Sequence, residues 1–185
     1  MVDDELKKAN AEFGKVIEHL KEEFSTIRTG RVNAGLFSGV MVNYYGAPTP
    51  LQQLASITVA ESRVAIVTPF DKGAIDAAVK GLQESDLGVN PSREGDIIRV
   101  IMPELTQERR KEYVKLAKTR AEEAKVSLRS VRHKAIDAID KLIKDKEIGE
   151  DDGKRGKETI DKDIKKFSEQ IDTGLGKKEA EILEV

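Results

Sequence analysis

Residues 106–146 read TQERRKEYVKLAKTRAEEAKVSLRSVRHKAIDAIDKLIKDK, a stretch with neither proline nor glycine. Those are the two residues that interrupt helices, proline by removing a donor and glycine by its conformational freedom. Tyr113, Ala117, Ala124, Leu128, Val131, Ala135 and Leu142 recur along one face at helical spacing. At 1.5 Å per residue the stretch predicts a helix on the order of 60 Å long. Thr106 is placed to cap its start. Gly149 is expected to end it, with Glu150, Asp151 and Asp152 as caps and first-turn acids for the next helix. That helix carries Ile160, Ile164, Phe167, Ile171 and Leu175. Towards the other terminus Leu6, Ala9, Phe13, Ile17, Leu20, Phe24 and Ile27 form a further stripe, close to a heptad seam. Three such helices bury one another's stripes most economically as a three-helix bundle.

Between these helices the composition changes. Residues 31–104 hold 6 basic and 8 acidic residues, whereas 1–30 and 105–185 together hold 26 of each. All five prolines fall in the middle segment. The two ends therefore read as one bundle domain, 1–30 and 105–185, interrupted by an inserted domain at 31–104. Within the insert, residues 40–45 are strand-like and residues 46–50 (Gly-Ala-Pro-Thr-Pro) read as a loop. Residues 55–60 and 63–68 read as two short strands. Asp71 opens a helix with Ile75, Val79 and Leu82 inward. Residues 97–102 form the clearest strand, stopped by Pro103. The insert is thus a small α+β unit. The chain passes between the domains at Gly30-Arg31 and again at Pro103-Glu104-Leu105. Two short crossings permit hinge motion there.

Catalysis has no visible home. There is no cysteine, which excludes thiol nucleophiles and cysteine-based zinc sites. The two histidines, His19 and His133, lie on helices, and His133 stands among basic residues. Gly30-Arg31-Val32-Asn33-Ala34-Gly35 lacks the Gly-Lys-Ser/Thr ending and the preceding strand of a phosphate loop. No catalytic residue, metal or cofactor is expected, and the chain reads as something other than an enzyme. No apolar run approaches the roughly 20 residues of a membrane span. The N-terminus is acidic where a targeting peptide would be basic. A cytoplasmic monomer without membrane contact is the expectation.

One constellation exceeds this background. Net charge is only -2, from 32 basic and 34 acidic residues, yet residues 105–134 hold 10 basic against 4 acidic. Residues 135–185 hold 11 against 15. Lys111, Lys115, Lys118, Lys125, Arg129 and Arg132 gather on one side of the long helix, beside its core face, with only Glu122 at their edge. A solvated face ordinarily mixes signs, and segregated cations along a rod attract a polyanion. No aromatics interleave the cations to stack bases, so packing against structured RNA fits better than reading of single strands. A protein-binding helical tether, gripping its client with the insert, is the other reading of the same pattern.

Several stretches together resemble a known family. They are Ser25-Thr26-Ile27-Arg28-Thr29-Gly30-Arg31, VNYYGAPTPLQQLASI at 42–57, Asp86-Leu87-Gly88-Val89-Asn90-Pro91, and Leu105-Thr106 through Arg109-Arg110-Lys111. Val131-Arg132 and the acidic turn at 147–152 belong with them. In this order, over essentially the whole chain, they resemble ribosome recycling factor. The resemblance implies an α+β, L-shaped molecule: an elongated three-helix bundle carrying an inserted β/α/β domain. It implies a translation factor that dissociates the post-termination ribosome together with elongation factor G, the partner that binds and hydrolyses GTP. It also implies contact between the bundle and large-subunit ribosomal RNA through Arg28, Arg31, Arg110, Arg129 and Arg132. The sequence departs from the family's commonest pattern after Arg132, where His133-Lys134 stands for a basic-acidic pair.

Overall fold

The computed structural model describes residues 1–184. The chain divides into two compact units. One comprises Met1–Phe24 and Lys115–Glu179; the other comprises Ser25–Val114 and the residues from Ala180 onward.

The first unit is built from the greater part of three helices, α1 (Val2–Thr26), α4 (Gln107–Lys144) and α5 (Glu150–Leu183), whose remaining turns belong to the second unit. Its core follows the stripes expected from periodicity, but Val131, Leu142, Ile164, Phe167 and Leu175 are only half-buried, and Ile27 and Tyr113 fall in the second unit. Ala9, Phe13, Ile17, Leu20 and Phe24 of α1 are buried, and Leu6 is half-buried. From α4 come Ala117, Ala124, Leu128 and Ala135, joined by Ala121 and Ile139. Alanines dominate that face, which lets the neighbouring backbones approach closely. Ile160 and Ile171 of α5 complete the layer, and the Phe13 and Phe167 rings lie 5.3 Å apart, tilted by 39°. These long helices form a bundle. Thr106 caps α4 as expected, its hydroxyl accepting from the Arg109 N–H at 3.2 Å.

The end of α4 differs from expectation. Lys146, not Gly149, carries the left-handed backbone, at φ 56°. Its N–H donates to Ile143 O, and the Glu147 N–H donates to Leu142 O, both at 3.0 Å. This pair of bonds closes the helix as a Schellman cap three residues early. Packing is what Gly149's neighbours supply instead: a Cβ on Gly153 would run into the Ile143 side chain.

In the second unit, β1 (Met41–Tyr44) pairs antiparallel with β2 (Ala47–Pro50). A second, four-stranded antiparallel sheet has the order β3-β4-β6-β5, with β3 Ala55–Glu61, β4 Val64–Pro69, β5 Asn90–Glu94 and β6 Ile97–Ile101. The short α2 (Leu51–Leu54) joins β2 to β3, and α3 (Ile75–Gln83) packs along β1 and β5. Phe37, Val42, Leu51, Val67, Ile75, Leu82, Ile98 and Val100 are fully buried between them. The expected loop at residues 46–50 is half correct: Tyr45 and Gly46 turn with positive φ, but Ala47–Pro50 extend as β2. Two prolines survive there because the strand has a free edge that needs no donors. Strand β5 had no hydrophobic alternation to announce it. It is an outer strand fixed by pairing with β6.

The hairpin is tied down by Asp71. Its carboxylate accepts the Gly73 N–H at 2.8 Å and the Tyr44 hydroxyl at 2.9 Å. The Gly73 N–H first, and the tyrosine hydroxyls after it, hold this carboxyl below the usual carboxylate range.

Candidate nucleic-acid interface

Helix α4 presents the predicted cations without a break in the helix. Taking 100° per residue, Arg132, Lys125, Lys118 and Arg129 fall within about 60° of one another, and Lys115 lies roughly 40° further round. The charge pattern of α4 alone does not show its partner row. Helix α5 runs antiparallel to α4, and its acids meet the near edge of the basic side. The ε N–H of Arg132 donates to Asp161 Oδ1 at 2.6 Å. Lys125 Nζ lies 2.7 Å from Asp172 Oδ1, and Lys118 Nζ lies 3.7 Å from Glu179 Oε1. Asp161, Asp172 and Glu179 are spaced by close to whole helical turns, so they line one face of α5. That spacing was the available signal.

The pairing sorts the cations. Lys125 is held twice, by Asp172 and by Glu122 at 3.8 Å, and its side chain is only 22% exposed. Arg129 is 65% exposed, its nearest carboxylate, Glu122, 3.9 Å away. Lys115 is exposed, with no ion pair among the described residues. A lysine head is a compact point charge, and a carboxylate against it leaves little for a phosphate. An arginine bound at one nitrogen keeps other donors. Arg132, at 40% exposure, is in that position. His133 is exposed and lies 3.5 Å from Asp137 on its own helix.

The other predicted residues belong to the second unit. Lys111 is exposed there. Arg110 is buried, at 7% exposure, and its guanidinium donates to main-chain carbonyls: Ile182 O at 2.8 Å, Leu105 O at 3.4 Å, and Glu184 O. It is a side-chain cap for the last turn of α5, whose carbonyls have no helical partner. Arg28 donates to Pro103 O at 2.7 Å, and Arg31 pairs with Glu184 Oε1 at 3.0 Å. The Gly30 N–H reaches Glu181 O at 3.4 Å, and a Cβ on Gly30 would stand 2.9 Å from Glu184 O. Only glycine allows that approach. Gly30, Arg31, Pro103, Glu104 and Leu105 line one recess of about 320 Å³ together with Arg28 and Arg110. The two crossings meet here, and the end of α5 closes on them.

Among the described residues, no group of carboxylates or histidines could hold a metal ion, and no helix is long and apolar enough to cross a membrane.

Comparison with known proteins agrees with this arrangement. The family model described as ribosome recycling factor matches residues 20–183. The ribosome-recycling factor of Kocuria rhizophila is 52% identical over 183 residues, covering 99% of each chain. A solution structure of a ribosome recycling factor superposes with a TM-score of 0.74 at 36% identity, over 100% of this chain and 98% of the other. A second structure, at TM-score 0.68 and 36% identity with both chains fully covered, presents models for the T. thermophilus ribosome recycling factor and the E. coli elongation factor G bound to the E. coli post-termination complex. A match that starts inside α1 and ends in the last turn of α5, with a relative aligned nearly end to end at half identity, leaves one conclusion: the chain belongs to the ribosome recycling factor family.

Proposed function

We propose that this protein is a translation factor that dissociates the post-termination ribosomal complex together with elongation factor G, releasing the subunits, messenger RNA and tRNA. Family membership over nearly the full length carries the reading. The basic side of α4 is the surface assigned to large-subunit ribosomal RNA, with Arg129, Arg132 and Lys115 as its foremost groups. Their exposure and their charge support this assignment. GTP is bound and hydrolysed by the partner, and this chain acts as a monomer. The bundle anchors on RNA, and the insert is the part that moves. Bending is assigned to Gly30-Arg31 and Pro103-Glu104-Leu105, since residues 27–33 and 102–106 belong to no helix or strand.

The test is sedimentation of the purified protein with intact ribosomes and with separated subunits at rising salt, followed by a subunit-splitting assay. Binding to 70S particles and large subunits that salt reverses, and splitting that needs both elongation factor G and GTP, are the expected results. Binding to neither particle at low salt would exclude the reading.

A further inference from the structure

Asp161 of α5 stands where a carboxylate is unexpected, against the arginine assigned to grip RNA. It accepts only the ε N–H of Arg132, at 2.6 Å. No other hydrogen bond or ion pair is made by this guanidinium among the described residues. Its two terminal amino groups therefore stay available as a parallel pair of donors, the geometry that matches two phosphate oxygens. Asp161 is half-exposed, and its neighbour Ile160 is fully buried, so the core fixes where this carboxylate sits. The aspartate and glutamate of α5 that meet Lys125 and Lys118 have no equivalent effect, because an ammonium has no second face to present.

Two consequences of Asp161 oppose each other, and their sizes decide between them. Its negative charge repels an incoming phosphate. Across a guanidinium, at roughly 7 Å in a water-like dielectric and with physiological screening, that amounts to less than about a twofold change in affinity. Fixing a rotamer-rich side chain before binding is worth about two- to tenfold. Pre-orientation wins.

We propose that Asp161 is a positioning residue for RNA binding. By accepting the ε N–H, it aims the terminal amino groups of Arg132 at a phosphate of the large-subunit RNA. The inference rests on the reading above that the basic side of α4 meets this RNA.

Affinity for purified large ribosomal subunits, measured for the full chain at low and physiological salt, tests it. At physiological salt Asp161→Ala should weaken binding by up to about tenfold, the lost pre-orientation outweighing the relieved repulsion, although it removes a negative charge. Asp161→Asn, whose amide oxygen still accepts from the ε N–H, should stay within twofold of the parent. In an Arg132→Ala background, losing Asp161 should weaken binding no further. The proposal is overturned, with the interface reading intact, if Arg132→Ala weakens binding but Asp161→Ala leaves it equal or tighter. It is equally overturned if Asn behaves like Ala, or if Asp161→Ala weakens the Arg132→Ala protein as well. Should Arg132→Ala itself bind like the parent, the assignment of Arg132 to RNA fails and the proposal with it.

Discussion

The guanidinium of Arg110 donates to the carbonyl of Ile182, 72 residues further along the chain, at 2.8 Å. With Leu105 O and Glu184 O it satisfies three main-chain acceptors from a buried position. Arg110→Ala should therefore lower stability by about 1.5–3 kcal/mol, the usual range for hydrogen bonds from a charged donor. Urea unfolding reads the loss, and hydrogen exchange should localise it to the last turn of α5. An unchanged midpoint would show that the contact is idle.

Arg129 and Lys125 should separate as RNA contacts. Arg129→Ala removes an exposed cation with a distant partner, and should flatten the salt dependence of large-subunit binding by roughly one counterion. Lys125→Ala removes a cation already held by Asp172, and should change that slope by much less. Equal slopes for the two variants would refute the sorting by α5.

Lys146→Gly should stabilise the protein. A residue with a Cβ in the left-handed region is strained by about 1–2 kcal/mol, and glycine relieves most of that while keeping both cap bonds. Thermal melting should rise by a few degrees. A fall would mean that the Lys146 side chain makes a stabilising contact of its own.

Asp71 makes stability of the hairpin pH-dependent in one direction. Its carboxyl is held below the ordinary value of 3.8, so the ionised form is favoured in the fold. The contribution is complete at neutral pH and is lost as pH falls below that value towards the depressed one. Asp71→Asn should lose much of it at pH 7 and show a shallower decline in acid, as followed by tyrosine fluorescence. Parallel acid profiles for the two proteins would contradict this.

Helical periodicity is local, and that is why α1, α4 and α5 could be read from spacing alone. Phe13 or Leu128 needs no knowledge of its partner to be placed on a buried face. Strand β5, with Asn90, Pro91, Ser92, Arg93 and Glu94, carries no such pattern, since its place is set by register against β6. Two prolines in β2 pointed to a loop because the open edge of a two-stranded ribbon is a property of topology. The basic side of α4 was legible as a charge pattern. Its division by Asp161, Asp172 and Glu179 was not, because it depends on how two helices slide past each other. Arg110 was given to ribosomal RNA by the family resemblance alone, and its burial did not show in the sequence. Two of its three carbonyl partners come from a helix end far along the chain.

The first helix finds its partners very late in the chain. Asn10 reaches Asp163, 153 residues away, and the last turn of α5 is shared with the other unit. During synthesis the insert core, residues 32–102, can form as soon as it leaves the exit tunnel. The bundle cannot, because α1 must wait for α5 to emerge. Nascent chains arrested near residue 145 should therefore carry a finished insert but lack α5, without which the bundle stays incomplete. Such a chain completes its helical bundle only once α5 has left the tunnel.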